Sequence, residues 1–408
     1  MSRLRFNRVG TPATPAADKA EAFLHTTDRR VKVIDDNGLI SILNNDGLQD
    51  QNILNNGGFS IQQRVATAST AIPAVSTTTR AGQVADRWAV TVGNVTTPQW
   101  AQIDTAAAPE TGLLARHYGK ITQITNAAKW ILSQFIINAN MAHLRGNKVR
   151  VSCKLKRFVG ADDTFRLGLL QLTAAGTVDV CPAFSTAIGG AGIEPTWGTN
   201  IVAIAPDASP TPENATVSGV AASILSTVAW ARSSAVFTIP TDAKNLIVVI
   251  YRHNLGAASD AFGIAEVMLT QGPDLVDWVV PFPDTELVRC QRFFCKSFQQ
   301  TTVPVQNGGV VGVQNGIIGK AGAVALAAKI PIRFPVTMWK SPVVTLYSPS
   351  VASAQIRRID GTTPADQTAT AQLHLSDAGL LATATGDAAG AVGDTIGVHY
   401  TAEAEFIT

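Results

Sequence analysis

The sequence predicts an all-β protein with an N-terminal β-hairpin segment, a central jelly-roll-like β-sandwich and a smaller C-terminal β domain. Charged residues make up only 15% of the 408 residues and aromatic residues 6%, a composition that favours short strands and turns over amphipathic helices. From Lys148 to Lys156, apolar residues alternate with polar and basic ones, as in an antiparallel strand with one solvated face. Pro273, Pro281 and Pro283 follow a strand-like run. Because proline cannot donate to a sheet ladder, one β domain should end there and another begin.

The N-terminal segment contains a hairpin signal. Two apolar runs, Arg30–Ile34 and Leu39–Leu43, flank Asn37-Gly38, and Asn-Gly between apolar runs favours a tight hairpin turn. A lone hairpin is only marginally stable in water, so this one needs a partner, either its own domain or another chain. The predicted units of the chain are residues 1–50, 51–283 and 284–408.

The central unit contains strand-like runs separated by Gly and Pro, a spacing typical of sandwiches and jelly rolls. Leu246–Tyr251 is apolar on both faces and is predicted to be a central strand. Between Ser185 and Thr227 the chain is rich in Gly, Ala, Ser, Thr and Pro, which predicts a long binding or assembly loop. The other predicted strands are Trp130–Asn138, Phe165–Leu172, Ala235–Ile239 and Phe262–Leu269.

The C-terminal unit starts at Asp284, which is a suitable helix N-cap residue. The sequence predicts a single helical turn there, leading into a strand at Arg292–Phe298. Val305-Gln-Asn-Gly308 recurs as Val313-Gln-Asn-Gly316, and both Asn-Gly pairs predict tight turns. The later predicted strands are Lys329–Phe334, Val343–Tyr347, Ala371–Leu375 and Thr395–Ala404.

Several classes of function lack their sequence signals. The formal net charge of +2 is far from the strongly basic balance of a nucleic-acid binder, and no apolar run approaches the roughly 18 residues that a membrane span needs. Four cysteines without a C-x-x-C pair and six dispersed histidines predict reduced, buried thiols and no metal site. We therefore expect no cofactor, no nucleic-acid partner and no membrane insertion.

Two features resemble catalytic motifs but lack what the chemistry requires. Gly316–Ala321 has no first glycine of a phosphate loop and carries Ala321 where Ser or Thr must bind Mg²⁺. Asp162 and Asp163 are paired carboxylates, as glycoside hydrolysis needs. They are adjacent, follow Gly160 in a predicted turn and would point to opposite faces of a strand. The sequence predicts no enzymatic activity.

The candidate ligand contacts are basic and aromatic side chains of the central unit. The basic row on the strand from Lys148 is either the solvated side of a sheet, which protects it from association, or a contact for an acidic partner. Two tryptophans lie in polar, Pro- or Gly-containing stretches where an exposed indole can stack on a sugar. The candidate residues are Trp100, Trp197, Lys148, Arg150, Lys154 and Lys156.

Four short motifs occur in an order that resembles tailed-bacteriophage virion proteins, chiefly tail-fibre and appendage subunits. The succession of sandwich strands is also similar to carbohydrate-binding modules. The four motifs are Asn55–Arg64 with Ala85–Trp88, Glu286–Lys296, Phe334–Thr345 and His399–Glu405.

The resemblance implies a non-enzymatic structural subunit of a virion, assembled in the host bacterial cytoplasm and involved in host-surface attachment. It implies a homotrimer in which residues 1–50 dock to other virion proteins, and a central domain that recognises a host-surface glycan. Two other interpretations stay open at this point: a capsid-decorating or head-fibre protein, and a polysaccharide depolymerase.

Overall fold

The protein is all-β, with few and short helices in the residues that the structure describes. The computed structural model describes residues 8–9, 21–25, 31–34, 40–42, 52–64, 70–71, 82–93, 98–106, 110–124, 129–160, 164–180, 185–188, 193–207, 215–217, 221–225, 228–318, 327–351, 355–359, 366, 369–385 and 392–405.

The N-terminal strands form a sheet of their own, in the order β1-β2-β3-β4. The predicted hairpin is confirmed, because β3 and β4 pair antiparallel with Lys32 opposite Ile42 and Ile34 opposite Ile40. It does not stand alone, since β2 adds antiparallel to β3 and β1 adds parallel to β2. Docking of this segment to another chain stays a prediction. The strands are β1 Arg8–Val9, β2 Glu21–His25, β3 Val31–Ile34 and β4 Ile40–Ile42.

Residues 70–271 contribute two facing sheets and a separate two-stranded sheet, β13-β14. The back sheet has the order β16-β17-β12-β19-β10-β7-β6, with β15 also paired to β12, and the front sheet has the order β18-β11-β20-β9-β8-β5. The strands are β5 Thr70–Ala71, β6 Gln83–Ala85, β7 Trp88–Gly93, β8 Gln99–Asp104, β9 His117–Thr122, β10 Lys129–Ile136, β11 Lys148–Val159, β12 Thr164–Leu172, β13 Ser185–Ala187, β14 Thr196–Trp197, β15 Ile201–Ile204, β16 Ala215–Val217, β17 Ala221–Leu225, β18 Ala231–Thr238, β19 Asn245–Arg252 and β20 Ala261–Gln271.

The sandwich core lies between these sheets. From β10 to β12 and again from β18 to β20, successive strands alternate between the back and front sheets, as the predicted jelly-roll-like connectivity requires. The alternation predicted for β11 is confirmed: Val149, Val151, Cys153 and Leu155 face the core. A short helix α1, Asn138–Met141, and a 3₁₀ turn connect β10 to β11.

The outer face of the back sheet is also buried, which explains why β19 is apolar on both sides. β19 lies between β12 and β10, so its predicted central place is confirmed. Its outward-facing side chains form a second cluster with residues such as Ile188, Ile201 and Phe293. The stretch from Ser185 to Thr227, predicted to be a long binding or assembly loop, contains the strands β13 to β17. Of these, β15, β16 and β17 extend the back sheet beside β12, and a binding or assembly role for the stretch stays a prediction.

The C-terminal unit begins with a longer helix than predicted. Helix α2 spans Pro283–Gln291, whereas the sequence predicted one turn. Phe282, not Asp284, occupies the N-cap position, Pro283 is in the first turn and Arg289 is in the last. Proline at the start and a cation at the end both stabilise a helix, and contacts of Glu286 and Arg289 with residues 52–56 stabilise it further.

Strand β28 organises the C-terminal sheet, because β21, β22, β24 and β25 all pair with it. Asn307 has a φ of 60°, as expected for the first predicted tight turn. The second turn prediction is wrong, since Asn315 and Gly316 lie inside β22 opposite β28. The strands are β21 Phe294–Lys296, β22 Gln314–Ile318, β23 Ala327–Arg333, β24 Val343–Tyr347, β25 Arg357–Arg358, β26 Ala369–Leu373, β27 Gly379–Thr385 and β28 Thr395–Glu403.

A buried ion pair joins the sandwich to the C-terminal sheet. Arg87 lies at the tip of the β6–β7 hairpin, and its Nη1 donates to a carboxylate oxygen of Glu405 just beyond β28. Both side chains are almost fully buried. Nη2 of Arg87 donates to the carbonyl of Phe135 at 2.6 Å, and the guanidinium stacks 3.5 Å from the centre of the Phe293 ring.

A second set of contacts surrounds this pair. Arg64 reaches Glu403 at 2.9 Å and Glu405 at 3.5 Å, and the side-chain amide of Gln63 donates to Asp86 and, at 3.2 Å, to the carbonyl of Phe294. We call the group Gln63, Arg64, Asp86, Arg87 and Glu405 the junction. Its polar side chains come from three separated stretches of chain. They pair mainly with one another, so loss of one leaves its partners without their hydrogen bonds.

The junction predicts a large stability loss on removal of Arg87. The Arg87→Met variant removes the nearest counter-charge of the buried Glu405, and breaking a buried pair costs about 3–5 kcal/mol. Urea unfolding of the full chain measures the loss. The double variant Arg87→Met/Glu405→Leu should recover most of it, because no buried charge is left unpaired. Equal stability of wild type and Arg87→Met would contradict the account.

Asp86 predicts a pH dependence with a definite sign. Burial raises the pKa of this carboxyl from 3.8 to about 6, against the opposing effect of Arg64. Because the folded state holds the proton more tightly, the contribution is favourable below pH 3.8 and is lost as pH rises through 6. The free energy of unfolding, wild type minus Asp86→Asn, should fall by about 2 kcal/mol between pH 4 and pH 7. A difference that stays constant or rises over that range would contradict the assignment.

Candidate functional site

The basic row lies on the outer face of the front sheet, and its first two members have partners. Nζ of Lys148 lies 2.7 Å from a carboxylate oxygen of Asp207. Arg150 is half-buried, with Nε donating to the carbonyl of Pro273 at 2.7 Å and Nη1 donating to the hydroxyl of Ser234 at 2.6 Å. These contacts hold both side chains along the sheet.

The other two lysines form ion pairs. Lys154 Nζ lies 2.9 Å from Glu266 Oε2, and Lys156 Nζ lies 2.5 Å from Glu110 Oε2. Glu266 is 1% exposed and also accepts hydrogen bonds from backbone N–H groups of residues 114 and 115, so residues 110–116 cover this part of the sheet. The three lysines of the row are therefore paired with carboxylates. Contact of the row with a ligand stays a prediction.

The prediction that Trp100 is an exposed indole is wrong. Trp100 lies on β8 opposite Ile121, is 1% exposed and belongs to the sandwich core. Its ring packs edge-on against Phe59 with centroids 5.3 Å apart. Gly119 makes room for it, since a Cβ at that position would lie 2.0 Å from the ring.

Trp197 lies on β14 and is half-buried. Its ring meets that of Tyr251 edge-on at 6.0 Å, and it packs against the cluster on the outer face of the back sheet. The expected loop indole is thus part of the cover over that sheet. A sugar contact through its exposed portion stays a prediction.

The sequence analysis missed an aromatic group on the outer face of the front sheet. Tyr118 stacks on Phe158 with centroids 5.7 Å apart and meets Trp230 edge-on at 5.2 Å. Two ammonium groups approach the Phe158 ring, Lys120 at 5.1 Å and Lys156 at 4.7 Å from its centroid. We call Tyr118, Phe158 and Trp230 the aromatic platform. The sequence could have indicated Phe158, because the alternation that places Lys154 and Lys156 on the outer face of β11 continues to Phe158.

A cleft of about 860 Å³ lies at one edge of the front sheet. β5 pairs only with Gln99 and Trp100 of β8, so β8 has an open edge beyond them within the described residues, and the cleft lies beside it. Lys120 lines the cleft and also contacts the aromatic platform, which places the two side by side. The lining residues are Ser60, Ile61, Gln62, Ala101, Gln102, Ile103, Asp104, His117, Lys120, Thr122, Pro283, Asp284, Leu287, Gln300 and Thr301.

Asp104 is the carboxylate with the most defined partners in the cleft. Arg116 contacts it with Nη2 at 2.9 Å and Nε at 3.2 Å, and the backbone N–H of Ala106 donates to it at 2.8 Å. The Arg116 guanidinium and this N–H lower the pKa of Asp104 to about 2. His117 Nε2 lies 3.7 Å from Asp104, but burial lowers the pKa of the imidazole overall. At neutral pH the cleft therefore presents an ionised carboxylate and a neutral imidazole.

This lining has the chemistry of a site for a neutral polyhydroxylated ligand. Carboxylates accept, ammonium groups donate, and amides and hydroxyls do both. Alternating with them are Ile61, Ala101, Ile103 and Leu287, which can cover the apolar face of a sugar ring. Ligand sites of about 300–1,000 Å³ with a few placed polar groups are typical of small-molecule binding.

The described residues bring together no group of three or more His, Cys, Asp or Glu side chains that could hold a metal ion. None of the helices in the described ranges is long and apolar enough to cross a membrane. Asp162 and Asp163 lie outside the described residues, as does part of Gly316–Ala321. Cys153, Cys290 and Cys295 are free and buried, so the prediction of reduced, buried thiols is confirmed for these three.

No protein-family model matches the chain, and no curated protein sequence matches it. Solved structures with a similar fold include the carbohydrate-binding module TmCBM61 in complex with β-1,4-galactotriose, at 10% identity and a TM-score of 0.29, covering 55% of this chain and 100% of that one. A putative sugar binding protein from Bacteroides thetaiotaomicron is 14% identical with a TM-score of 0.30, covering 54% and 100%.

The enzymatically active domain of tailspike protein 4 from bacteriophage CBA120 is also similar, at 11% identity and a TM-score of 0.29. The match covers 54% of this chain and 22% of that one. Similarity at this level carries neither a ligand nor an activity from these proteins to this chain.

The burial of the two tryptophans predicts unequal stability losses. Trp100→Ala opens a cavity between the sheets and should cost about 3–5 kcal/mol, as large-to-small core changes do. Trp197→Ala removes a half-buried ring and should cost less than about 2 kcal/mol. Urea unfolding of both variants measures the difference. A loss at Trp197 equal to or larger than that at Trp100 would contradict their placement.

Proposed function

We propose that the protein is a non-enzymatic structural subunit of a tailed-phage virion that attaches to a neutral host-surface glycan through the cleft beside β8. The observation that carries the proposal is the cleft itself. It combines a volume of about 860 Å³ with carboxylate, amide, hydroxyl and ammonium side chains, and it adjoins an aromatic platform.

The aromatic platform and the cleft supply complementary contacts. Tyr118 is 4% exposed and supports the platform from beneath, whereas Phe158 and Trp230 are half-buried and can contact the apolar face of a sugar. The polar cleft groups exchange hydrogen bonds with the sugar hydroxyls. Lys120 belongs to both, because it lines the cleft and lies 5.1 Å from the Phe158 centroid. A chain of several sugars can therefore extend from one to the other across the front sheet.

The electrostatics of the cleft support binding over hydrolysis. A glycoside hydrolase needs a carboxyl with a raised pKa to protonate the leaving group. The pKa of Asp104 is instead lowered to about 2, so at neutral pH it accepts hydrogen bonds and donates none. Asp104 therefore lacks the raised pKa of a general acid, and it suits the role of a carboxylate that accepts hydrogen bonds from sugar hydroxyls.

The virion part of the proposal is supported by the sequence motifs. Three of the four meet in the fold: Asn55–Arg64 with Ala85–Trp88, Glu286–Lys296 and His399–Glu405 contribute the junction residues and their contacts. In a fibre or appendage subunit the N-terminal sheet would dock to other virion proteins and the chain would assemble as a trimer. A head-fibre position is the alternative, and electron microscopy of labelled particles distinguishes the two.

Replacement of Lys120 tests the cleft. Lys120→Gln removes the ammonium group shared by the cleft and the platform, and it should weaken binding of short neutral oligosaccharides about tenfold, equivalent to about 1.4 kcal/mol. Lys329 is exposed on the C-terminal sheet, so Lys329→Gln is the matched control and should bind like wild type. Isothermal titration calorimetry against an oligosaccharide panel provides the measurement. Unchanged affinity in Lys120→Gln would remove the cleft from the proposal.

A further inference from the structure

A second, smaller pocket lies at the other end of helix α2. It has a volume of about 370 Å³ and is lined by residues 52–55, by α1 and the turn after it, and by the end of α2. Its polar side chains include Arg289 and Arg292, together with His143 and asparagines. No carboxylate lines it among the described residues. This pocket is separate from the cleft and plays no part in the glycan contact proposed above.

Arg289 is held in place before any ligand binds. Its Nη2 donates to the carbonyl of Asn52 at 3.0 Å, and its side chain is 27% exposed. Asn52 is itself fixed, because its amide donates to Val267 at 3.0 Å and accepts from Leu269 at 3.0 Å. The guanidinium therefore keeps further N–H donors for the pocket without a large ordering cost on binding.

Asn55 supplies a further hydrogen-bond donor to the pocket. It is only 5% exposed, and its backbone is pinned by Gln134, which accepts from the N–H at 2.9 Å and donates to the carbonyl at 2.7 Å. Its side-chain amide lines the pocket and makes no hydrogen bond within the described part of the chain. Since the residue lines the pocket and its amide atoms are not among those closed off from solvent, a bound oxyanion can replace water on the amide N–H.

The charge of the pocket favours an anion. Arg289 and Arg292 carry two full positive charges. Opposing them are Glu286, which lies 4.0 Å from Arg289 and accepts from the N–H of Asn56, and the C-terminal end of α2, worth about half a negative charge. The balance stays positive, and two guanidinium groups match the planar geometry of carboxylate and phosphate oxygens.

We propose that this pocket binds an oxyanion, the carboxylate or phosphate group of a small ligand, between Arg289 and Arg292 with the side-chain amide of Asn55 as a further donor. Carboxylate and phosphate groups share one chemistry, because their oxygens carry delocalised negative charge and accept hydrogen bonds from several N–H groups. The pocket volume fits a single acidic sugar or a phosphorylated one.

The full-length protein is titrated by calorimetry with inorganic phosphate, with glucuronate and with glucose as the neutral control. Wild type should bind phosphate, glucuronate or both, and any heat seen with glucose should be the same in wild type and in Arg292→Gln, because a neutral sugar does not use this pocket. Phosphate alone would assign a phosphoryl group, glucuronate alone a uronic acid, and both a general oxyanion site.

Arg292→Gln should weaken that binding about tenfold or more, as expected for loss of a charge-assisted hydrogen bond worth about 1.5–3 kcal/mol. Arg292 is exposed, so the substitution leaves the core intact. Arg333, exposed on the C-terminal sheet, provides the matched control Arg333→Gln, which should bind like wild type, as should Lys120→Gln in the cleft. Failure of both anions to bind at millimolar concentration, or equal losses in Arg292→Gln and Arg333→Gln, would overturn the proposal.

Discussion

The ion pair between Arg87 and Glu405 is the contact on which the arrangement of the sandwich and the C-terminal sheet depends. Both side chains are buried, and separating them would leave charges in a low-dielectric interior at a cost of several kcal/mol. The junction therefore holds together three segments: the β6–β7 hairpin, the stretch with Gln63 and Arg64, and the end of β28. A hydrophobic contact of the same area would tolerate sliding, whereas these hydrogen bonds fix one register.

The junction also influences the positions of the residues that line the cleft and the oxyanion pocket. The stretch 60–62 forms one wall of the cleft and runs directly into Gln63 and Arg64 of the junction. Asn56, at the start of the same stretch, donates to Glu286 of α2. Helix α2 is thus fixed to the sandwich at its middle, and it contributes its first turn to the cleft and its last turn to the oxyanion pocket. Loss of the junction would be expected to disturb both sites together.

Local patterns in the sequence predicted much of the fold. Period-two alternation located β11, and the two-sided apolar run of β19 predicted its central place, because these signals depend only on which faces are buried. Helix α2 was underestimated, since its end is stabilised by contacts with residues 52–56 that lie far away in sequence. Asn315-Gly316 was predicted as a turn but lies in β22, where pairing with β28 overrides the local preference for a turn.

The site was harder to predict, because it depends on which face each aromatic residue takes. Trp100 stands among polar residues, yet it points inward on β8, and Gly119 on the neighbouring strand makes the space for it. The basic row was correctly placed on the outer face. The carboxylates that pair with its lysines, Asp207, Glu110 and Glu266, come from other parts of the chain. The sequence around the row therefore does not indicate that its positive charges are paired. The cleft likewise joins five separated stretches, and no single motif marks it.

A crystal structure of the full-length protein with a bound neutral oligosaccharide tests the central claim most directly. The account predicts sugar density in the cleft, within hydrogen-bonding distance of Asp104 or Lys120 and extending towards the aromatic platform. Density confined to another surface, such as the β13–β14 region around Trp197, would contradict it.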